Sequence, residues 1–256
     1  MKEKKIKDNC NWDYFSKDAE YSDVLRSRLK DGVEMDSAIA IAKYMNEFFR
    51  DDLDIIDFGG GPGHYYPVIK KFYRKGNTKY TSIDIDSENI KFGNSYFHDD
   101  ENANFLVGSV LDPKNFLQNS NCIISANTLP HVPNIDILLK EISKKPSIRF
   151  FIFRMLIGNE CVQIKKHLQE DDFSKMFKSD FQHNNIYSLK YIKNILGVNW
   201  NIEVKEDIFD ETRLKNHSIP AQENNKFYSN RVSRSVDGMV FKGDIYMPWK
   251  FVIGTR

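Results

Sequence analysis

A glycine-rich turn directly after a short apolar segment constrains this chain more than any other feature of its sequence. The segment Asp54–Phe58 predicts a strand, and the run Gly59-Gly60-Gly61-Pro62-Gly63 follows it without a break. Glycines between a strand and a helix let the backbone approach a ligand closely. The same turn places a helix N-terminus beside that ligand. We therefore expect a bound cofactor at this turn.

The residues after the turn alternate between helical and strand patterns. Strands are predicted at 80–84, 104–107, 121–126 and 148–154, and helices at 66–73, 87–97 and 135–143. This alternation is typical of a parallel sheet with helices on both faces. We expect an α/β fold with a doubly wound sheet of about seven strands. Helical spacing of apolar residues before residue 50, with Asp36 or Ser37 as a cap, adds N-terminal helices.

The second half of the chain is less regular. Helices are predicted at 160–168, 173–177 and 188–196, and strands at 200–209 and 245–253. Pro248 favours an edge strand or a bulge for the last of these, because proline cannot donate to a sheet ladder. The polar segment 210–236 predicts no definite element.

The spacing of the glycines discriminates between two cofactor types. Dinucleotide sites usually follow the pattern G-x-G-x-x-G. The third glycine position is His64 when counted from Gly59, and Tyr66 when counted from Gly61. Neither register fits, which disfavours an NAD-dependent oxidoreductase.

The pattern D/E-x-G-x-G-x-G is filled at all four positions, by Asp57, Gly59, Gly61 and Gly63. It resembles motif I of the class I S-adenosylmethionine-dependent methyltransferases, and the chain is similar to their small-molecule type over roughly residues 50 to 155. The resemblance implies a Rossmann-like sheet, mostly parallel with an antiparallel last strand at 245–253. It also implies S-adenosyl-L-methionine as the cofactor, with its amino-acid portion against the turn, Gly60 included, and its ammonium group near Asp57.

Later segments add further candidates for cofactor binding. Asp84 ends the second strand about 25 residues after Gly59, near the offset of acids that accept ribose hydroxyls. The resemblance places Ile85 against the adenine and Asn127 beside the cofactor. Asp86 is expected to cap the next helix. Many members of this family carry an acid near the adenine, and at that position this chain has Ser109. The expected contact to the adenine therefore comes from Ser109, the backbone of Val110 or Asp112.

Two residues are candidates for the chemistry. His131 follows the fourth strand, at the carboxyl edge where open α/β sheets bind ligands, so it is a candidate general base for an oxygen acceptor. The alternative is a structural role in its own loop. Arg154 ends the fifth strand, where it would either orient an anionic or hydroxylated acceptor or pair with a surface acid. His64 is expected to position the cofactor or the loop, and no metal site is expected.

The chain is expected to divide into an N-terminal helical lid, residues 1–50, and a Rossmann-like methyltransferase domain, residues 51–256. Acceptor-binding insertions are expected at about 155–185 and 210–243. A lid would exclude water from the reaction. The aromatic residues before residue 22 either belong to that lid or simply cover the sheet; they include Trp12, Tyr14, Phe15 and Tyr21.

The composition of the chain limits the classes of partner that it is expected to bind. The net charge of +1 argues against nucleic acid, and no apolar stretch is long enough to predict a membrane span. Three widely spaced cysteines indicate neither zinc nor disulfides, which fits a cytoplasmic protein. The expected acceptor is a small molecule, with a sugar or surface-glycan precursor as the leading candidate. A non-catalytic binding module remains an alternative, and the oligomeric state stays open, with a homodimer as one option.

Overall fold

A computed structural model describes Asp13 and residues 18–167, 180–207, 233–236, 239–242 and 245–256. The α-helices of these ranges are α1 (Ala19–Lys30), α2 (Asp36–Phe48), α3 (Tyr66–Phe72), α4 (Ser87–Tyr96), α5 (Asp136–Lys144) and α6 (Leu189–Leu196). None of them has the length and apolar character needed to cross a membrane.

The first ten strands of the described residues, numbered in chain order, are β1 (Leu53–Phe58), β2 (Thr78–Asp84), β3 (Ala103–Val107), β4 (Cys122–Ala126), β5 (Phe150–Gly158), β6 (Lys165–His167), β7 (Phe181–His183), β8 (Tyr187–Ser188), β9 (Asn201–Glu206) and β10 (Ser233–Val236). They are followed by β11 (Met239–Lys242), β12 (Ile245–Tyr246) and β13 (Trp249–Thr255). Short 3-10 helices at Pro113–Asn115 and Leu129–His131 follow β3 and β4.

The main sheet has the strand order β3-β2-β1-β4-β5-β13-β9, with β8 paired to β5. The pairs from β3 to β5 are parallel, whereas β13 is antiparallel to both β5 and β9. The predicted doubly wound sheet, mostly parallel with an antiparallel last strand, is therefore confirmed. The strand order reverses between β1 and β4, and open α/β sheets bind their ligands at that switch point.

Both faces of the sheet are covered. Phe151 and Phe153 of β5 belong to a core on the side of α5 and α6, while Phe150 and Ile152 belong to a second core on the side of α2 and α3. Successive side chains of a strand point to opposite faces. A strand buried on both faces is therefore apolar at every position, which explains the uninterrupted apolar run in β5.

The helix predicted at 160–168 is wrong, because residues 165–167 form β6. This strand pairs antiparallel with β7, in the register Lys165↔His183, and Val162 forms a bridge to Ile186. Pairing with a distant segment overrides the local pattern. The helix predicted at 173–177 lies outside the described residues. The helix predicted at 188–196 is confirmed as α6, which ends at Gly197.

Of the two alternatives inferred from Pro248, an edge strand or a bulge, the edge strand is wrong. Pro248 lies between β12 and β13, and β13 is an inner strand between β5 and β9. A proline just before a strand removes no hydrogen bond from its ladder. Its carbonyl oxygen instead accepts the backbone N–H of Ile157, at 3.0 Å.

The cap predicted for α2 is wrong as well. Met35 occupies the N-cap position without a side-chain cap bond, and Asp36 is the first helical residue. Ser37 instead shares a hydrogen bond of 2.6 Å with the hydroxyl of Tyr65, at the start of α3. This contact joins α2 to the segment after the glycine turn.

Gly254 tests the packing of β13 on β5. A Cβ atom at Gly254 would lie 2.0 Å from Cε1 of Phe151, a fully buried ring that packs against Phe153 and Trp200. We expect Gly254→Ala to lower the free energy of unfolding by about 1–3 kcal/mol, or more, because the ring has no space to move into. Urea unfolding measures this. Val198→Ala, at a fully exposed side chain, is the control, and a Gly254→Ala effect as small as that of the control would contradict the packing.

Candidate cofactor and active site

The glycine turn folds tightly on the ends of the strands. Gly59, Gly61 and Gly63 have positive φ angles of 76°, 55° and 82°. A Cβ at Gly59 would overlap the side chain of Thr128, and one at Gly60 would lie 2.9 Å from the carboxyl carbon of Asp57. These contacts exclude side chains from the turn.

Asp84 lies directly against this turn. Its Oδ2 accepts the backbone N–H of Gly61 at 2.9 Å, and its Oδ1 accepts that of Asp86 at 2.9 Å. The turn and the end of β2 are thus held together by one carboxylate. Asp86 caps α4, since its Oδ1 accepts the N–H groups of Glu88 and Asn89, which confirms the role predicted for it.

Asp57 lies beneath the turn rather than on its surface. Its side chain is buried, and its Oδ2 accepts the hydroxyl hydrogen of Tyr80 at 2.6 Å. Burial raises the pKa of Asp57 to about 7, and the hydrogen bond from Tyr80 opposes that rise. Gly60 lies against this carboxyl, since a Cβ atom on Gly60 would come within 2.9 Å of its carbon.

The residues predicted to surround the adenine lie beside Asp84. The backbone N–H of Gly108 donates to the carbonyl oxygen of Asp84 at 2.9 Å. Ile85 presents an apolar side chain that is 39% exposed, as a platform for a flat ring requires. The hydroxyl oxygen of Ser109 accepts the N–H of Leu111 at 3.1 Å, so it is partly committed to its own loop. The side chain of Val110 is buried in the core.

His64 follows the turn and carries a polar atom that the described residues leave without a partner. Its Nδ1 is buried and makes no hydrogen bond within them, while its ring packs edge-on against Tyr65 at 4.8 Å between centroids. Burial lowers the pKa of His64 to about 3. The imidazole is therefore neutral at physiological pH and suited to hydrogen bonding.

Asn127 follows β4, and Arg154 lies in the middle of β5 opposite the last residue of β4. The expectation that Arg154 ends the fifth strand is therefore wrong, because β5 continues to Gly158. Asn127 has a positive φ of 69°. Its backbone N–H donates to the carbonyl oxygen of Arg154 at 3.0 Å, and its side-chain oxygen accepts a hydrogen bond from the Arg154 guanidinium. Arg154 thus fixes the unusual backbone of Asn127 from two sides.

Arg154 is neutralised by an acid that sequence reasoning did not single out. Its Nε donates to Oδ2 of Asp207 at 3.0 Å, and both side chains are about nine-tenths buried. The guanidinium also stacks on Trp249, 4.4 Å from the ring centroid. The partner is a buried acid after β9 rather than the surface acid expected as one alternative. No local signal could reveal it, because 53 residues separate the pair.

His131 is held by the end of β7 and the residues just after it. Its Nδ1 lies 2.7 Å from the carbonyl oxygen of His183. Asn185 binds the same loop twice, since its backbone N–H donates to the carbonyl of Pro130 and its side-chain amide donates to that of Val132. Asn185 was not a candidate, because the contact depends on a hairpin that the sequence did not predict.

The remaining histidine near the sheet and the N-terminal aromatic residues have no established role in the site. His98 is exposed and contacts Asp99 at 3.0 Å in a turn, and no group of residues suited to a metal ion occurs in the described ranges. Tyr21 lies in α1. Three residues named in the sequence analysis lie outside the described residues: Trp12, Tyr14 and Phe15.

The model of a family described as a methyltransferase domain matches residues 34–199, more than half of the chain. The chain belongs to this methyltransferase family. The predicted membership of the class I S-adenosylmethionine-dependent methyltransferases is thereby confirmed.

Solved structures share the fold of this methyltransferase. One is the phosphoethanolamine N-methyltransferase 2 of Haemonchus contortus in complex with S-adenosyl-L-methionine, with a TM-score of 0.59 and 14% identity over 96% of this chain and 60% of that one. A second is an S-adenosylmethionine-dependent methyltransferase from Mesorhizobium loti, with a TM-score of 0.52 and 13% identity over 85% and 96%.

A third is the N-terminal domain of EvdMO1 in the presence of S-adenosylhomocysteine and D-fucose, with a TM-score of 0.50 and 14% identity over 87% and 84%. At these identities the likeness establishes the fold alone. A comparison with curated proteins finds no match.

The residues at the turn fit S-adenosylmethionine, the cofactor of this family. Each oxygen of Asp84 accepts one backbone N–H, and a carboxylate oxygen can accept further bonds, as two ribose hydroxyls require. The Nδ1 of His64, just after the turn, is a buried hydrogen-bonding atom that no described residue satisfies. The exposed side chain of Ile85 suits an adenine ring.

Asp57 makes the stability of this methyltransferase depend on pH. The pKa of Asp57 is raised from 3.8 to about 7 by burial, so its contribution to stability is full below about pH 4 and is lost as the pH rises through about 7. Asp57→Asn keeps an acceptor for Tyr80 but cannot ionise. We expect the free energy of unfolding of the Asn variant to rise relative to the native protein across this pH range, by at most about 4 kcal/mol.

Urea unfolding of both proteins at several pH values between these limits measures the difference. Asp99→Asn, which removes an exposed carboxyl group, is the matched control. A free-energy difference between native protein and Asp57→Asn that is constant with pH would contradict the burial of an ionisable Asp57.

Proposed function

We propose that this methyltransferase transfers a methyl group from S-adenosylmethionine to a hydroxyl oxygen of a small molecule, with His131 as the general base. A sugar or surface-glycan precursor is the leading acceptor. The observation that carries the proposal is the contact between Nδ1 of His131 and the backbone carbonyl of His183, at 2.7 Å.

This contact fixes the protonation pattern of His131. A carbonyl oxygen can only accept, so Nδ1 carries the hydrogen and Nε2 is the basic nitrogen of the neutral ring. A base that is oriented through its other nitrogen is a recurring arrangement in enzymes that activate hydroxyl groups. An amine acceptor needs only to be neutral and has no need of such a base.

When bound, S-adenosylmethionine would supply a methyl group carried on its sulfonium sulfur, and S-adenosylhomocysteine would be the leaving group. In the proposed step the acceptor oxygen forms its bond to the methyl carbon as the carbon–sulfur bond breaks. Nε2 of His131 takes the hydroxyl proton. The protein mainly aligns the two reactants and excludes water.

Buried polar groups beside His131 support a hydroxylated acceptor. Gln182, His183, Asn184 and Asn185 are all buried. Within the described residues, Nδ1 of His183 and Oδ1 of Asn184 have no hydrogen-bond partner. Buried polar atoms without partners are costly unless a ligand or water satisfies them. Hydroxyl groups of an acceptor are suitable partners for both.

The charge distribution favours a neutral acceptor over an anionic one. Arg154, the cation in the middle of β5, is already paired with Asp207, so the pair has no net charge to offer a phosphate or carboxylate. A net charge of +1 gives the chain no general attraction for nucleic acid. The EvdMO1 domain, solved in the presence of D-fucose, is a precedent for a sugar near this fold.

We further propose that residues 1–50 act as a lid over the cofactor, and that the insertions at about 155–185 and 210–243 bind the acceptor. The described part of the first insertion supports this role, because the segment after β7 contacts the loop that bears His131. A cytoplasmic location and a homodimer remain predictions.

The acceptor and the base can be tested together with labelled S-adenosylmethionine. Free and nucleotide-linked sugars, D-fucose among them, are supplied in parallel with phosphoethanolamine, and labelled product is counted. We expect methylation of a sugar hydroxyl. His131→Gln should lower kcat for that acceptor by about 10²–10⁴-fold, because glutamine cannot take the proton, while the KM for S-adenosylmethionine stays unchanged.

His98→Gln, at an exposed histidine in the turn after α4, is the matched control and should retain full activity. Methylation of the amine alone would contradict the proposed acceptor. An undiminished kcat in His131→Gln, with a sugar methylated, would contradict the proposed base but not the acceptor.

A further inference from the structure

Helix α1 lies directly over the glycine turn. Cδ1 of Leu25 is 3.3 Å from the position that a Cβ atom would take on Gly61, so the middle of α1 packs beside the turn. Tyr21 and Arg28 stand four residues before and three residues after Leu25, so the three side chains share one face of the helix. Arg28 therefore faces the segment around the turn.

The electrostatic surroundings place the Arg28 charge near that segment. After burial, which has the larger effect, the positive charge of Arg28 lowers the pKa of His64 further. It likewise opposes the rise that burial causes in the pKa of Tyr21 and in the pKa of Tyr65. One guanidinium thus acts on residues of α1 and on the residues just after the glycine turn.

Arg28 has no acidic partner among the described residues. Its one hydrogen bond there runs from Nη1 to the sulfur of Met35, at 3.7 Å, and thioether sulfur is a weak acceptor. The other arginine near the turn, Arg154, is neutralised by Asp207. A partly buried cation that lacks a carboxylate is costly, and it suits an anion brought by a ligand.

The cofactor brings one such anion. Its methionine portion is a zwitterion, and the acids at the turn, Asp57 and Asp84, can favour only the cationic groups. We propose that Arg28 binds the carboxylate of the methionine portion of S-adenosylmethionine. A planar guanidinium matches a carboxylate with two parallel hydrogen bonds. The bond would join α1 to the cofactor and hold the helix over the site.

Two ligands that differ in this carboxylate test the proposal by calorimetry. S-adenosylhomocysteine contains the amino-acid group, whereas 5′-methylthioadenosine retains adenine, ribose and sulfur without it. We expect Arg28→Gln to weaken binding of S-adenosylhomocysteine by about 10- to 100-fold. Binding of 5′-methylthioadenosine should be unchanged, which also shows that the variant is folded at this site.

Two further variants sharpen the test. Arg28→Lys should recover part of the lost affinity, because lysine keeps the charge without the planar fork. Arg26→Gln is the matched control on the same helix, since Arg26 already contacts Asn89 and Asp23, and it should bind both ligands as the native protein does.

Three outcomes would overturn the proposal. An unchanged affinity of Arg28→Gln for S-adenosylhomocysteine would exclude a carboxylate contact. Equal weakening of both ligands would show that Arg28 only supports the packing of α1. If the native protein bound neither ligand, S-adenosylmethionine would not be its cofactor. That outcome differs from failure of the Arg28 proposal alone, in which 5′-methylthioadenosine still binds. None of these results depends on the acceptor or on His131.

Discussion

The carboxylate of Asp84 is the interaction on which the site depends. It accepts the N–H of Gly61 with one oxygen and that of Asp86 with the other. These bonds join the glycine turn after β1 to the end of β2, and Asp86 in turn caps α4. The position of the turn, the direction of the next helix and the acid that would hold the ribose are therefore set together.

The second half of the chain is built around β13. Because β13 lies between β5 and β9, it brings Asp207, just after β9, within reach of Arg154 on β5. That ion pair orients Asn127 at the end of β4. An antiparallel strand added late in the chain thus stabilises a loop at the switch point, about 120 residues earlier in the sequence.

The structure also separates two functions of the carboxyl edge. On one side of the turn, Asp84, Ile85 and the loop after β3 suit the nucleoside of the cofactor. On the other, His131 is oriented by the carbonyl of His183 and lies among buried polar groups. Helix α1 covers the turn between them through Leu25.

The parts of the site that could be predicted are those encoded by neighbouring residues. The Asp57–Gly63 pattern, the acid ending β2 and the cap at Asp86 are local, and apolar runs identified the parallel strands. The contacts Arg154–Asp207 and His131–His183 span 53 and 52 residues. They depend on which strands become neighbours, including the pairing of β6 with β7, where long-range pairing overrides local preference. The edge-strand position inferred from Pro248 was wrong for the same reason, since only the fold shows that Pro248 precedes an inner strand.

The central claim is that the methyl donor binds at the glycine turn with its ribose held by Asp84. Calorimetric binding of S-adenosylhomocysteine to the native protein and to Asp84→Ala tests this most directly. The account predicts binding by the native protein that Asp84→Ala weakens by about 10- to 100-fold, which corresponds to about 1.5–3 kcal/mol for hydrogen bonds to a charged group. NAD should not bind. Absence of binding by the native protein, or equal affinity of the two proteins, would contradict it.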